Sequence, residues 1–478
     1  MHNLSLVWLR RNLRLEDNKP MASAIANSHK IQPIFIFDKL ILERFTNPND
    51  RRLSFLMATL FGINKQLTKK GGKLLVFYGN STSIIARIAS SIRASAVYAD
   101  QDFEPENIKR DRIIEDQLSG ICQLKLLCDH LLFHPDHITN KGGKPFKVYT
   151  PYMKVFRAAL RDETIKEATY SFTNKLYQSA FDSSNNTDYQ VVNLDSGIEN
   201  ALKQIGYNYQ KDSVWSVENP KKYLEDFVHK KINTYAYNRD FLYKEGSSSL
   251  SPYIRFGLIS IRECYRQAFR EENAEKWINE LIWREFYATI LYHFPHTQNL
   301  EFQPKFQNTL PWRQDSELLE RFYLGKTGFP IVDAAVRQLL TDGWMHNRAR
   351  LIVASFFSKN LFLDWRLGEE FFAQHLMDYD LSSNVGGWQW ASSCGTDAQP
   401  FFRAFNPITQ GQKFDFGAEY VKKYVPELEN APSKLIHNQK AVENNFAGKY
   451  NYPAPIVDYK ESRDYSLAIF RSIKAVKT

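Results

Sequence analysis

The feature that most restricts what this chain can fold into is an alternation. Within residues 1–130, five short runs rich in β-branched and aromatic side chains (4–9, 31–37, 73–77, 95–99 and 123–128) are separated by helix-length stretches at 20–28, 51–67, 82–93 and 106–118. Strands that each give way to a helix join as a parallel sheet with crossovers. The pattern therefore predicts an α/β domain over 1–130: a doubly wound, parallel five-stranded sheet. Neither G-x-G-x-x-G nor a Walker A sequence lies in it, so an ordinary nicotinamide dehydrogenase or P-loop enzyme is excluded.

The alternation stops near residue 131. Gly142-Gly143, several prolines and the polar run 182–188 read as an interdomain connector over 131–204, with short helices. From 205 to 478 apolar residues recur at helical spacing, most clearly in 276–294, 331–340, 345–358 and 366–377. A larger all-helical domain is expected there, and 478 residues suffice for two or three domains. No apolar run approaches the roughly 18 residues of a membrane helix. The N-terminus reaches Arg10 and Arg11 without the apolar stretch of a signal peptide. A soluble, monomeric, cytoplasmic protein without a membrane partner is the expectation. Cys122, Cys128, Cys264 and Cys394 are too scattered for a disulfide framework or a zinc site and read as buried small hydrophobes. Lys plus Arg outnumber Asp plus Glu by 62 to 53, a net charge of +9 that favours a polyanionic partner.

Seven of the nine tryptophans fall between Trp277 and Trp390, a concentration suited either to core packing or to stacking planar rings. In Trp277-Ile-Asn-Glu280-Leu-Ile-Trp283-Arg284-Glu285-Phe286-Tyr287, positions 280, 283, 284 and 287 share one helical face. That face is either the polar side of an amphipathic helix with an intrahelical Glu280–Arg284 pair, or a pocket wall that stacks an aromatic ligand and hydrogen-bonds its edge. Ser247, Ser248, Ser249, Leu250 and Ser251 precede a helical pattern and fit either a Ser-rich cap or a phosphate cradle. Trp344-Met-His-Asn347-Arg348-Ala349-Arg350 reads as a helix start with a basic face. In Asp378-Tyr379-Asp380-Leu-Ser-Ser-Asn384-Val-Gly386-Gly387-Trp388-Gln-Trp390, two carboxylates stand at i, i+2. No third ligand stands at metal spacing, so no metal is expected. His293-x-x-His296 encloses Pro295 and reads as a helix-end turn.

Taken together, these segments resemble the photolyase/cryptochrome family, and most closely its bacterial class I cyclobutane pyrimidine dimer photolyases. The resemblance rests on the 277–287 helix, Gly343-Trp344-Met-His-Asn347-Arg348, the 378–390 run, Phe405-Asn406-Pro407-x-x-Gln410-Gly411, and Trp8-Leu-Arg-x-x-Leu13-Arg-Leu-x-Asp17-Asn18. It extends in order from residue 5 to about 430. It implies a helical FAD-binding and catalytic domain and light-driven repair of pyrimidine dimers in UV-damaged DNA by electron transfer from excited reduced FAD. By that resemblance Tyr235, Ser247, Ser248, Ser249, Leu250, Ser251, Trp277, Asp378, Tyr379, Asp380 and Asn384 hold FAD, and Glu280, Asn347 and Asn384 are catalytic. Arg239, Glu280, Trp283, Arg284, Tyr287, Asn347, Arg348, Ala349 and Gln410 meet DNA, while Trp312, Trp365 and Trp388 carry electrons between flavin and surface. A carboxylate at position 280 that serves a dimer should be protonated, or donate through a neighbour.

Asn347 and Leu351 stand where (6-4) photolyases have histidines, which argues against (6-4) repair. Folate-binding bacterial members hold their antenna with an Asn-Glu pair and a distal Lys, where this chain has Glu106-Asn107 and Asn299. The second, antenna chromophore is left open among methenyltetrahydrofolate, a deazaflavin, another flavin and none. A flavin photoreceptor would favour a long C-terminal extension, and a DASH-type enzyme would confine repair to single strands; Asn384 favours repair.

Overall fold

Each expected strand forms, and each lies beside the neighbour that a doubly wound order requires. The protein is described by a computed structural model over residues 2–162, 165–177, 189–211, 214–398 and 400–473; the polar run 182–188 lies outside the described residues. Strands β1 (His2–Leu9), β2 (Ser28–Asp38), β3 (Leu75–Gly79), β4 (Ala96–Asp100) and β5 (Gln123–Leu127) pair in parallel in the order β5-β4-β1-β2-β3. Leu6 faces Gln32 on one side and Val97 on the other. Most of β2 and all of β4 are buried, as expected of parallel strands covered on both faces. Leu6, Trp8, Ile34, Phe77, Ile85 and Val97 are among their shared core. The crossover helices start where side chains can accept the first free N–H groups: Asn18 from Met21, Asp50 from Arg52 and Asn80 from Thr82.

The sheet carries one strand more than the expected five. Tyr189–Val191 (β6) runs antiparallel to β3, with Phe77 opposite Val191. Three residues are too few for a period-two pattern to be read in sequence. They pair because the free edge of β3 presents unmatched backbone groups. Cys264 and Cys394 are buried as expected, whereas Cys122 and Cys128 are only half-buried; burial pushes the Cys122 thiol up to about 11.

The chain forms two compact units from interleaved segments: Met1–Ile138, Phe156–His229 and Ser249–Glu271 in one; Thr139–Val155, Lys230–Ser248 and Glu272–Thr478 in the other. Boundaries drawn in chain order at 130 and 204 therefore differ from the units, and the physical reason is a buried cluster of charge. Asp129, with no exposed surface, accepts from Arg14, from Arg262 at 2.8 Å and from the Lys19 backbone N–H at 2.9 Å. Asp17 accepts from Arg262 Nε at 2.9 Å and from Arg266 at 3.0 Å. Arg14 donates onward to the Gly257 carbonyl. Gly257, at φ +73°, lets its segment approach so closely that an added Cβ would lie 1.9 Å from the Arg11 carbonyl oxygen. Burial alone would raise both carboxyls, yet the guanidiniums hold them below the ordinary range.

The second unit contains no strand among its described residues. Its helices Glu275–His293, Pro330–Asp342, Asn347–Phe356, Trp365–His375 and Leu381–Ala391 cover the predicted periodic stretches. The third of them ends early, in a π-helical turn at Phe357–Leu361 that Phe362 closes at φ +54°. Trp365, Trp388, Phe322 and Phe356 belong to a single core cluster. Among the described residues no helix is long and apolar enough to cross a membrane, and no three His, Cys, Asp or Glu stand together as a metal site.

Replacing Arg262 by Met should cost the sheet unit about 3 kcal/mol, because two buried carboxylates lose part of their counter-charge. Urea unfolding followed by far-UV circular dichroism checks this, and an unshifted first transition would contradict it.

Candidate flavin and nucleic-acid site

The Glu275–His293 helix buries Trp277, Leu281, Glu285 and Phe286 and leaves Glu280, Trp283, Arg284 and Tyr287 half-buried. The intrahelical Glu280–Arg284 pair is not what forms. Glu280 accepts from Arg239 Nη1, just past the Ile232–Asn238 helix, and Arg284 lies 3.7 Å from Glu285. A partner from another segment wins because both groups are partly desolvated, and a bond between charges strengthens there. Burial opposes the Arg239 charge, but Glu280 outweighs it and the guanidinium titrates above its usual value. The Tyr235 phenol, 7% exposed, is pushed up by burial and then by the same carboxylate. Arg239 is thus a donor that Glu280 anchors.

Trp283 is stacked face to face on Tyr149, with ring centroids 3.5 Å apart and planes 4° from parallel. Tyr149 is held by its hydroxyl on the Asn279 carbonyl and by its backbone N–H on Asp397. No local pattern points to this partner, because Tyr149 lies in the connector, 134 positions from Trp283.

Asn384 projects from the Leu381–Ala391 helix. Its amide nitrogen donates to Glu369 twice, to the backbone oxygen at 3.0 Å and to Oε1 at 2.9 Å. Tyr379 donates to the same Oε1. Burial raises the Glu369 carboxyl against those bonds. Among the described residues no donor reaches Asn384 Oδ1, so the amide is oriented with its oxygen outward. Gly387, three residues on and hence on a neighbouring part of the face, has nothing within 4 Å of where a Cβ would be. An open face carrying a fixed neutral acceptor fits the edge of a flavin. Asp378 is neutralised by Arg350 at 2.8 Å and 3.0 Å. Asp380 caps the helix by accepting from Ser382 Oγ and the Ser383 N–H. Trp277 is 3% exposed. Glu369 and Arg350 are the functional candidates that spacing did not reveal.

Trp388 and Trp365 are fully enclosed, and Trp312 packs half-buried on the same core. The Trp388 ring lies on Gly368, where an added Cβ would be 2.2 Å away, and Gly368 is one turn beyond Trp365 on the Trp365–His375 helix. Trp312 packs on Phe362 at 4.9 Å. Trp365 Nε1 donates to Glu301 at 3.1 Å, whereas among the described residues Trp388 Nε1 is buried without an acceptor.

Of the other residues expected to meet nucleic acid, Asn347 is exposed at the start of the Asn347–Phe356 helix. Arg348 pairs with Asp240 at 2.8 Å and lies over Phe414. Among the described residues Gln410 Oε1 and Arg348 Nε are buried without partners. Ala349, next in the same helix, has no exposed surface. The Ser247–Ser251 run straddles the two units, with Ser247 and Ser248 in the helical unit and Ser249, Leu250 and Ser251 in the other. Ser249 adopts φ +51°, and Leu250 is fully buried before the short Ser251–Arg255 helix. Glu106 pairs with Lys109 on the surface, Asn107 donates to Glu104, and Asn299 is exposed.

Residues 5–169 match the DNA photolyase family, and residues 277–472 match the FAD binding domain of DNA photolyase. A deoxyribodipyrimidine photo-lyase of a Synechococcus species is 36% identical, over 98% of this chain and 97% of that protein. One from Alkalihalophilus pseudofirmus is 34% identical over 98% of each. The crystal structure of a bacterial class III photolyase from Agrobacterium tumefaciens superposes with a TM-score of 0.85 at 29% identity, covering 99% of this chain and 98% of that one. A sheet unit and a helical unit with a fixed amide and enclosed indoles define a flavoprotein of the photolyase class. The chain belongs to the DNA photolyase family.

His346 caps the Asn347–Phe356 helix by accepting the Arg348 N–H, and burial lowers its pKa to about 4, with nearby Arg348, Arg350 and Arg239 adding to the effect against Asp240. It is neutral when folded, while the unfolded chain takes up a proton near pH ~6.5. The stability this contributes is present above that pH and is lost as pH falls toward 4. His346→Asn, which keeps a capping oxygen, should flatten the fall in unfolding midpoint between pH 6.5 and 4.5; an unchanged slope would refute the assignment.

Proposed function

We propose that the protein is a light-dependent DNA repair enzyme that splits cyclobutane pyrimidine dimers, with FAD held in its helical unit. The observation that carries this is the Asn384 amide. Its nitrogen is committed to Glu369 and its oxygen is presented as an uncharged acceptor. Such an acceptor suits the N–H edge of a reduced flavin without placing a second negative charge beside it. Within that unit Tyr235, Ser247, Ser248, Trp277, Asp378, Tyr379 and Asp380 would complete the holding set, with Arg350 cancelling the charge of Asp378. Bound, FAD supplies a one-electron donor when reduced and excited by light, chemistry that no side chain here can provide.

The chain's own task is binding, orientation and electrostatics. Extrusion of the target from the duplex is the general route of enzymes that act on bases, photolyases among them. The Tyr149–Trp283 stack offers a rigid aromatic wall for an extruded base pair of this kind. Arg239, fixed by Glu280, offers a donor to carbonyl oxygens on the dimer and a positive charge that stabilises negative charge arriving there. Arg348, Asn347 and Gln410 stand ready for the DNA backbone, where guanidinium contacts make binding salt-dependent. Trp388, Trp365 and Trp312 form the path by which an oxidised flavin would be returned to the reduced state.

The test uses FAD-loaded protein reduced with dithionite and an oligonucleotide duplex carrying one thymine dimer. Dimer loss under near-UV or blue light, with none in the dark, is expected; no loss with FAD bound and reduced would sink the proposal. Glu280→Ala should lower the repair yield per photon several-fold with FAD still bound, and loss of FAD instead would make Glu280 structural. Trp365→Phe should impair photoreduction of the oxidised flavin at least tenfold while prereduced enzyme repairs at near the parental rate. Unchanged photoreduction would defeat the path.

A further inference from the structure

Glu301 is a carboxylate that the packing of its surroundings does not explain. It is 1% exposed, and its side chain accepts from Trp365 Nε1 at 3.1 Å and from Arg366 Nη2 at 3.0 Å and 3.1 Å. Burying an anion is costly even when it is paired. Arg366 already has Asp364 and the Asn299 carbonyl as partners. The indole offers a single N–H, which any neutral acceptor would satisfy. A full negative charge on an enclosed indole is more than the fold asks for.

The neighbouring indole is in the opposite situation. Among the described residues Trp388 Nε1 is buried without an acceptor, and its ring is flanked edge-on by Phe357 at 5.4 Å and Phe372 at 5.0 Å. Two neighbouring indoles thus differ in one respect that matters for electron loss. An oxidised indole carries positive charge and a much stronger N–H donor. At Trp365 that donor meets a carboxylate; at Trp388 it meets no acceptor from the protein. The negative field is felt by a third buried group as well, since burial and then Glu301 push the Cys394 thiol far above its usual range.

We propose that Glu301 is a positioning residue for charge, which makes electron movement from Trp365 to Trp388 run downhill and holds the oxidation at Trp365. This rests on the tryptophan path proposed above. Trp388 gives one electron to the photoexcited, oxidised flavin; one electron then passes from Trp365 to Trp388. Trp388 returns to its closed-shell form and Trp365 is left a radical cation. The Nε1–H proton stays within the hydrogen bond to Glu301, and no covalent bond forms or breaks. Arg366 tempers the effect, both as the ion-pair partner of Glu301 and as a cation 4.8 Å from the centre of the Trp365 ring.

The experiment follows the tryptophan radical by transient absorption after a flash. It uses FAD-loaded, oxidised protein carrying Trp312→Phe, so that oxidation cannot move beyond Trp365. Glu301→Gln keeps shape and an acceptor but removes the charge; the radical should decay about tenfold faster, the ratio to which ~1.4 kcal/mol corresponds. Arg366→Gln removes the opposing cation and should slow the decay several-fold. General damage to the core would move both variants the same way, so shifts of one sign overturn the proposal, as does a Glu301→Gln decay equal to the parent's. Trp365→Phe in the same background separates the two claims. If it abolishes the long-lived radical and Glu301→Gln changes nothing, the path stands and the role of Glu301 falls; if the radical survives it, Trp365 is not oxidised and both fall.

Discussion

Two glycines bring the site's helices within reach of one another. At Gly386 the Leu381–Ala391 helix lies directly on the Tyr287 ring, where an added Cβ would come within 2.2 Å. At Gly368 the Trp365–His375 helix lies on Trp388 at the same separation. The Leu381–Ala391 helix is therefore gripped by two neighbours at backbone distance. Asn384 reaches Glu369, and Trp388 comes to rest a helical turn from Trp365, only because no side chain stands between. Interiors are packed densely enough that even one methyl group at either glycine would have to displace a ring.

Charge is placed just as sparingly. Five of the inward carboxylates described above are met by an arginine, most of them from another segment: Asp129 and Asp17 by Arg14, Arg262 and Arg266, Glu280 by Arg239, Asp378 by Arg350, Glu301 by Arg366. Arginine suits this because its planar fork serves two acceptors at once and its charge survives burial. In the sheet unit the pairs are more deeply enclosed and hold segments together. In the helical unit they are partly open, and the same chemistry presents a donor or a field to whatever binds. The surplus of basic residues, +9 overall, is what remains for an anionic polymer.

The alternation in the first 130 residues and the apolar period of the later helices made both architectures legible in the sequence. Local hydrophobic spacing is what drives those elements, so it could be read directly. What could not be read depended on contacts between segments far apart in the chain. The three-residue β6 forms only because an edge is there to receive it. Arg239 displaced Arg284 as the partner of Glu280 for reasons of burial, to which a helical wheel is blind. Glu369, Tyr149 and Glu301 act through side chains 15, 134 and 64 positions away.

The interleaving of the two units has a consequence for how the chain comes off the ribosome. Asp17 and Asp129 emerge early, but Arg262 and Arg266 belong to the segment Ser249–Glu271, which follows a stretch of the other unit. Until that segment has left the exit tunnel, the nascent sheet holds two carboxylates that lack part of their counter-charge. Domains usually fold as units, N-terminal first, during synthesis. Here the unit that appears first must wait for a segment made after a stretch of the other, and more than half the chain must be made before its core can close.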